Sequence, residues 1–211
     1  MLDLPEYMQL FAGLLAIVNP FGKIPIFITL TGRRFAADKR RIWLVASIAV
    51  VLMLVFAFFV GELLLRTLGI TIHAFRIAGG ILLLLSALAM MSSGDSGAAP
   101  THEITASDGD AIAVGVVPLA TPLLAGPGAI TTVIVYAHRH HSLAHVLLVL
   151  TAIVSVGVVI LVVFRLAPFL ASVLKATGMN VATRIMGLII AATAVEFIVD
   201  GIAAVFPGLL K

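Results

Sequence analysis

The sequence predicts an all-α polytopic membrane protein. About six transmembrane helices form two inverted three-helix repeats that contain proline-broken helices or re-entrant segments. Three observations carry that fold class. The 211 residues are 62% hydrophobic and 11% charged, with a mean hydropathy of +1.22, whereas a water-soluble domain carries roughly a quarter charged residues. So few charges cannot cover a globule of this length with a polar surface, which makes lipid the outer solvent. Long apolar runs recur along the chain, and two proline motifs recur among them.

Six runs are long enough to be read as spans: 8–30, 42–65, 74–92, 111–137, 143–165 and 181–206. The second is uncharged over 42–61, and the fourth over 111–137, long enough to cross with a break or a dip. The first span is expected to be retained, because the start Met1-Leu2-Asp3-Leu4-Pro5-Glu6 is acidic where a cleaved leader is basic. Residues 93–110, with Gly, Ser, Thr and Pro100, read as a flexible polar linker. They divide a single membrane domain into a first half, 1–92, and a second, 111–211.

Basic residues set the orientation. Arg33, Arg34, Lys39, Arg40 and Arg41 crowd the first connection; Arg165 and Lys175 lie in the fifth, with Arg184 just beyond. Arg66, Arg76, Arg139 and Lys211 fall on the other side. Positive-inside counting places the first connection in the cytoplasm and both termini outside. The linker is then cytoplasmic as well, although it has no Lys or Arg. The net charge of +3 and pI near 9.7 do not point to nucleic acid, since the cations sit in short connections and not on one folded face. The absence of cysteine excludes disulfides, thiolate metal sites and cysteine nucleophiles.

The most informative feature is an internal echo. Asn19-Pro20-Phe21-Gly22-Lys23-Ile24-Pro25 stands in the first span, and Thr121-Pro122-Leu123-Leu124-Ala125-Gly126-Pro127-Gly128 in the fourth. Each places a polar residue before a proline and a second proline five positions on, with an offset of 102 between the motifs. Arg76-Ile77-Ala78-Gly79 opens the third span and Arg184-Ile185-Met186-Gly187 the sixth, at an offset of 108. Because each half has an odd number of spans, the second enters from the opposite side, an architecture common among secondary transporters.

These two motifs, together with six spans and a polar central linker, resemble the MarC family of bacterial inner-membrane proteins, which includes the SnatA-type small neutral amino-acid transporters. The likeness covers essentially the whole chain. It implies transport of small neutral amino acids such as glycine and alanine across the inner (cytoplasmic) membrane, coupled to a proton or sodium gradient.

The residues themselves suit such a ligand. Five of the nine prolines lie in or beside the motifs: Pro20, Pro25, Pro118, Pro122 and Pro127. A proline removes an amide donor and displaces the carbonyl four residues earlier. Irregular backbone at membrane depth is tolerated only inside protein or along a watery cavity. Freed carbonyls can accept from an ammonium and half-helix amino ends can hold a carboxylate, and an amino acid presents both groups. The plainer alternative, prolines that merely kink helices for packing, would fit one motif better than two matched ones. Asn19 and Thr121 occupy matching positions, either bonding substrate or capping broken ends. Gly22, Gly126 and Gly128 permit close approach of a ligand or a helix. Thr131 and Thr132 either face the cavity or bond their own backbone.

Lys23 is the only cation well inside an apolar span, lining a cavity or snorkelling to the cytoplasm. Glu196 and Asp200, four apart, share one face of the sixth span and are the candidates for proton or ion coupling; Glu196, near mid-span, either carries a coupling proton or forms a buried pair with Lys23 or an arginine. Arg76 and Arg184 head equivalent spans and are expected to anchor at the interface or to bond carbonyls of the broken segments. The cluster His138-Arg139-His140-His141 with His145 is expected to be a solvated loop and not a metal site. No catalytic residues, no cofactor and no nucleic-acid partner are expected. The expected partners are a small-molecule substrate and the bilayer, with a homo-oligomer left open. The rivals are a channel or ion exchanger, and outside transport a membrane-embedded enzyme or a non-transporting regulator.

Overall fold

A computed structural model describes residues 4–31, 36–92, 124–139 and 142–206. All regular structure in them is helical. Pro118, Thr121, Pro122, His140, His141 and the linker 93–110 lie outside the described residues, so the expectations placed on them stop there.

The first predicted span is two helices, α1 (Leu4–Val18) and α2 (Ile24–Thr31). The break follows from the sequence. Pro20 has no N–H to offer the carbonyl of Ala16, and its ring crowds that turn. Asn19, whose amide still bonds the Leu15 carbonyl at 2.9 Å, turns to a φ of 43°, a region asparagine enters more readily than most residues. Pro25 stands second in α2, where a missing N–H leaves no bond unmade.

Helix α3 (Ala36–Thr67) ends in a Schellman turn. There Gly69 has a φ of 69°, its amide bonds Arg66 O at 3.1 Å, and Ile70 N bonds Leu65 O at 2.9 Å. Thr71 then caps α4 (Ile72–Ser92), its hydroxyl accepting from Ala74 N at 3.2 Å. Helix α5 (Pro127–Ala137) is the described part of the fourth predicted span. Ser142 caps α6 (Leu143–Arg165), accepting from His145 N at 3.2 Å. Helix α7 (Ala167–Val205) kinks at Lys175. Its φ of 51° and ψ of −177° fall in a region that normally belongs to glycine. Among the described residues, four stretches are long and apolar enough to cross a bilayer unaided: Asp38–Thr67, Ile72–Ser92, Leu143–Arg165 and Thr177–Val205.

Packing pairs α4 with α7 and α3 with α6, while α1 lies on α5, α6 and α7, and α5 on α3 and α4. The α4–α7 pair is the most intimate. Gly80 lies against Ala194 and Ile198, Gly187 against Ala87 and Met90, and Gly201 against His73 and Ile77, so the two helices run antiparallel with backbones nearly touching. One apolar core joins Leu10, Leu14, Ile42, Leu54, Val133, Ile153 and Phe164, with Phe27 stacked on Phe164 at 4.6 Å between ring centres. Large apolar side chains such as Leu52, Phe56, Phe59, Leu85 and Leu188 are exposed, as suits a protein solvated by hydrocarbon.

Candidate functional site

At the first break Asn19 is buried, and its Oδ1 accepts from Gly22 N at 3.1 Å, bridging the gap between α1 and α2. Its Nδ2 donates only to Met90 Sδ on α4, at 3.7 Å, a weak acceptor for an amide. Gly22 admits no larger residue: a Cβ would stand 2.6 Å from Asn19 Nδ2 and 2.8 Å from Thr183 Oγ1. Thr183, on α7, is therefore a polar neighbour of the motif that sequence reasoning missed; its one signal was that it directly precedes Arg184. Lys23 makes no ion pair with a carboxylate among the described residues. Its Nζ turns back and donates to Val18 O at 2.5 Å, so an ammonium sits on the carbonyl end of α1, where the helix dipole favours a cation.

The second motif presents the opposite polarity. Gly126 is the N-cap of α5, in an extended conformation, and as a glycine it offers no side chain to cap the helix. Pro127 stands at its start, as Pro25 does in α2, and Gly126 O accepts from Ala129 N at 3.0 Å and Ile130 N at 3.2 Å. Gly128 and Ala129 are buried, so this is an amino end held away from solvent. The two ends touch. A Cβ on Gly128 would lie 3.4 Å from Ile17 Cγ2, one residue before α1 closes, and would overlap Leu83 of α4. Thr131, buried, packs directly on Gly79, where even a methyl group would collide with it. Thr132 instead donates to Gly128 O at 2.9 Å.

The acidic pair divides. Asp200 reaches Arg76 Nη1 at 3.5 Å, linking α7 to α4. Glu196 is exposed on α7 and has no hydrogen bond or ion pair among the described residues. The matched arginines also diverge: Arg76 is ion-paired with its Nε buried and unbonded, whereas Arg184 is exposed and has no ion pair among the described residues.

One end of the molecule is tied by polar contacts, two of which join residues before 92 to residues after 124. Glu6 meets Arg139 at 2.7 Å, Glu62 meets His138 at 3.2 Å, and Arg139 lies over the Tyr136 ring at 4.2 Å. His145 corrects the expectation of a solvated loop: it lies inside α6, fully buried. Its Nε2 is 2.9 Å from the Tyr136 carbonyl, which can only accept, so Nε2 carries a proton. Nδ1 lies 2.7 Å from the Tyr7 hydroxyl, so both ring nitrogens have partners. The sequence hid this because a histidine four residues beyond a His-rich run reads as part of it.

Comparison with known proteins adds three findings. A family model described as MarC family integral membrane protein matches residues 4–206. The UPF0056 membrane protein YhcE of Escherichia coli (strain K12) is 43% identical over 209 residues, covering 99% of this chain and 97% of that protein. UPF0056 membrane proteins of Buchnera aphidicola (subsp. Acyrthosiphon pisum) and Aquifex aeolicus are 41% and 40% identical, covering 99% and 93% of this chain and 97% and 92% of theirs. No solved structure matches.

Proposed function

The chain belongs to the MarC family of integral membrane proteins, and from that premise we propose that it is a secondary transporter of small neutral amino acids, of the glycine or alanine type, driven by a proton or sodium gradient. The observation that carries this reading is the contact between two broken helix ends of opposite polarity. The carbonyl end of α1 suits an ammonium, and the amino end of α5 suits a carboxylate. Asn19, Gly22, Lys23, Gly126, Gly128 and Thr131 surround that contact, and Thr183 joins them.

The inverted repeat is part of the proposal. Helices at equivalent positions pack on one another, α4 with α7, α3 with α6 and α1 with α5. Two further sets of contacts match: α5 lies on α3 and α4, and α1 with α2 lies on α6 and α7. An approximate two-fold axis in the membrane plane would generate this pattern. Placing the chain in the cytoplasmic membrane with both termini outside puts the tied end, with Glu6 and Arg139, on the outer face. The outer path is then shut in this conformation, as alternating access requires of one of its states. In this reading the chain is a transporter and not an enzyme, and Asp200 serves as the partner of Arg76. Glu196 keeps its candidacy for ion coupling through its position within a span.

The test is uptake of labelled glycine and alanine into proteoliposomes, with and without pH or sodium gradients. Saturable, gradient-driven uptake is expected. No uptake of either by folded protein would sink the substrate class, and a non-saturating, gradient-independent flux would point to a channel.

A further inference from the structure

The second half turns between its last two helices in an unusual way. The first half passes from α3 to α4 in four residues, 68–71. The second spends residues 166–176 between α6 and the span Thr177–Val205, most of them in one helical segment, 167–174, that stops at the kink of Lys175. Since the chain can reverse in four residues, the longer excursion asks for a purpose.

Its surface has two parts. Ala167 is buried and Leu170 and Ala171 pack on the core, so one side is fixed to the protein. The other side exposes Leu166, Phe169 and Val173, at 45%, 64% and 61%, spaced three and four apart and hence on one helical face. Arg165 and Lys175, both exposed, bracket this face. Neither makes an ion pair among the described residues, and the sequence holds no Asp or Glu between Asp110 and Glu196. Three apolar side chains seek hydrocarbon while two uncompensated cations avoid it. Only the headgroup boundary of a bilayer satisfies both demands. Arg184, seven residues into the span and also unpaired among the described residues, can snorkel toward the same layer.

We propose that residues 165–175 form a docking surface for an anionic phospholipid. The phosphodiester headgroup lies between Arg165 and Lys175, and the acyl chains lie along Leu166, Phe169 and Val173. Charge complementarity selects an anionic lipid over a zwitterionic one, whose own ammonium would meet the two cations. The site does not depend on what the protein transports.

The experiment is native mass spectrometry of delipidated protein titrated with phosphatidylglycerol or phosphatidylcholine of the same acyl chains. Phosphatidylglycerol should bind in clear preference. Each basic residue at an anionic surface is worth about fivefold in affinity, so the R165Q/K175Q double variant should bind it about 25-fold more weakly. K175R should bind as the wild type does. K175G, which suits the strained backbone yet lacks the ammonium, should lose about fivefold while unfolding at no lower temperature, separating charge from fold. Arg66, at the opposite end of the span structure, supplies the control, and R66Q should leave binding unchanged. The proposal is overturned by equal binding of the two lipids, by wild-type binding in K175G, or by an equal loss in R66Q.

Discussion

Lys23 returns its ammonium to the carbonyl of Val18, the residue that closes α1. A cation held on a helix end by its own chain stands where the ammonium of a bound amino acid would be placed by the same dipole. Lys23→Met should therefore leave that carbonyl without its partner, lowering stability by about 1–3 kcal/mol and uptake by more than about tenfold, a loss of roughly 1.4 kcal/mol or more. Lys23→Arg should retain much of both. Thermal unfolding in detergent and proteoliposome uptake measure the two effects separately. Uptake by Lys23→Met equal to wild type would remove Lys23 from the site.

Asn19 allows its backbone and side-chain roles to be separated. Asn19→Gly keeps access to the positive φ but loses the bridge to Gly22 N, whereas Asn19→Ala loses both. The alanine variant should be less stable than the glycine variant by about 1 kcal/mol. Equal unfolding temperatures would show that the left-handed turn at residue 19 carries no weight.

Two glycines should respond with opposite signs. A Cβ on Gly80 would stand 2.8 Å from the backbone carbonyl of Ala194, which cannot swing aside, so Gly80→Ala should destabilise by about 1–3 kcal/mol. Gly13, inside α1, has nothing within 4 Å of its Cβ position. Gly13→Ala should stabilise the helix by about 0.5–1 kcal/mol. Detergent unfolding of both variants checks the contrast.

The Tyr7–His145 bond predicts a coupled pair. Tyr7→Phe removes the hydroxyl bonded to a buried imidazole nitrogen and should cost about 1–3 kcal/mol. Once His145 is replaced by Leu, the further change of Tyr7 to Phe should cost much less. A double-mutant cycle that closed additively would show that the two groups do not interact.

Thiol cross-linking across the tied end tests whether it must open. The chain contains no cysteine, so E6C/R139C introduces the only two thiols. A bifunctional reagent joining them should abolish uptake, with a cleavable reagent restoring it on reduction. Full activity in the joined protein would mean that the Glu6–Arg139 contact persists through the cycle.

How far the sequence revealed these features depended on how local their causes are. The break after Val18 and the start of α5 at Pro127 were legible, because a proline without an amide acts within one turn whatever surrounds it. The bounds of α6 were legible too, since 143–165 is a charge-free apolar run up to Arg165. Pairings between distant segments were not. Nothing near Arg76 or Arg184 told that one would find Asp200 and the other would remain exposed. Thr183 lies by the first motif only because α7 packs there, and His145 is buried only because α1 and α5 supply Tyr7 and a carbonyl. The bend at Lys175 was hidden for a further reason: a lysine in an apolar stretch carries no turn signal of its own.

The glycine-lined contact between α4 and α7 has a mechanical consequence. With Gly80, Gly187 and Gly201 bringing one backbone against the other, sliding or rolling would drive side chains into carbonyls within a fraction of an ångström. The pair should behave as a stiff spine. Any motion that gives a ligand access from alternate sides must then belong to the interrupted helices, which swing on Asn19 and Gly126 as hinges while the spine holds still.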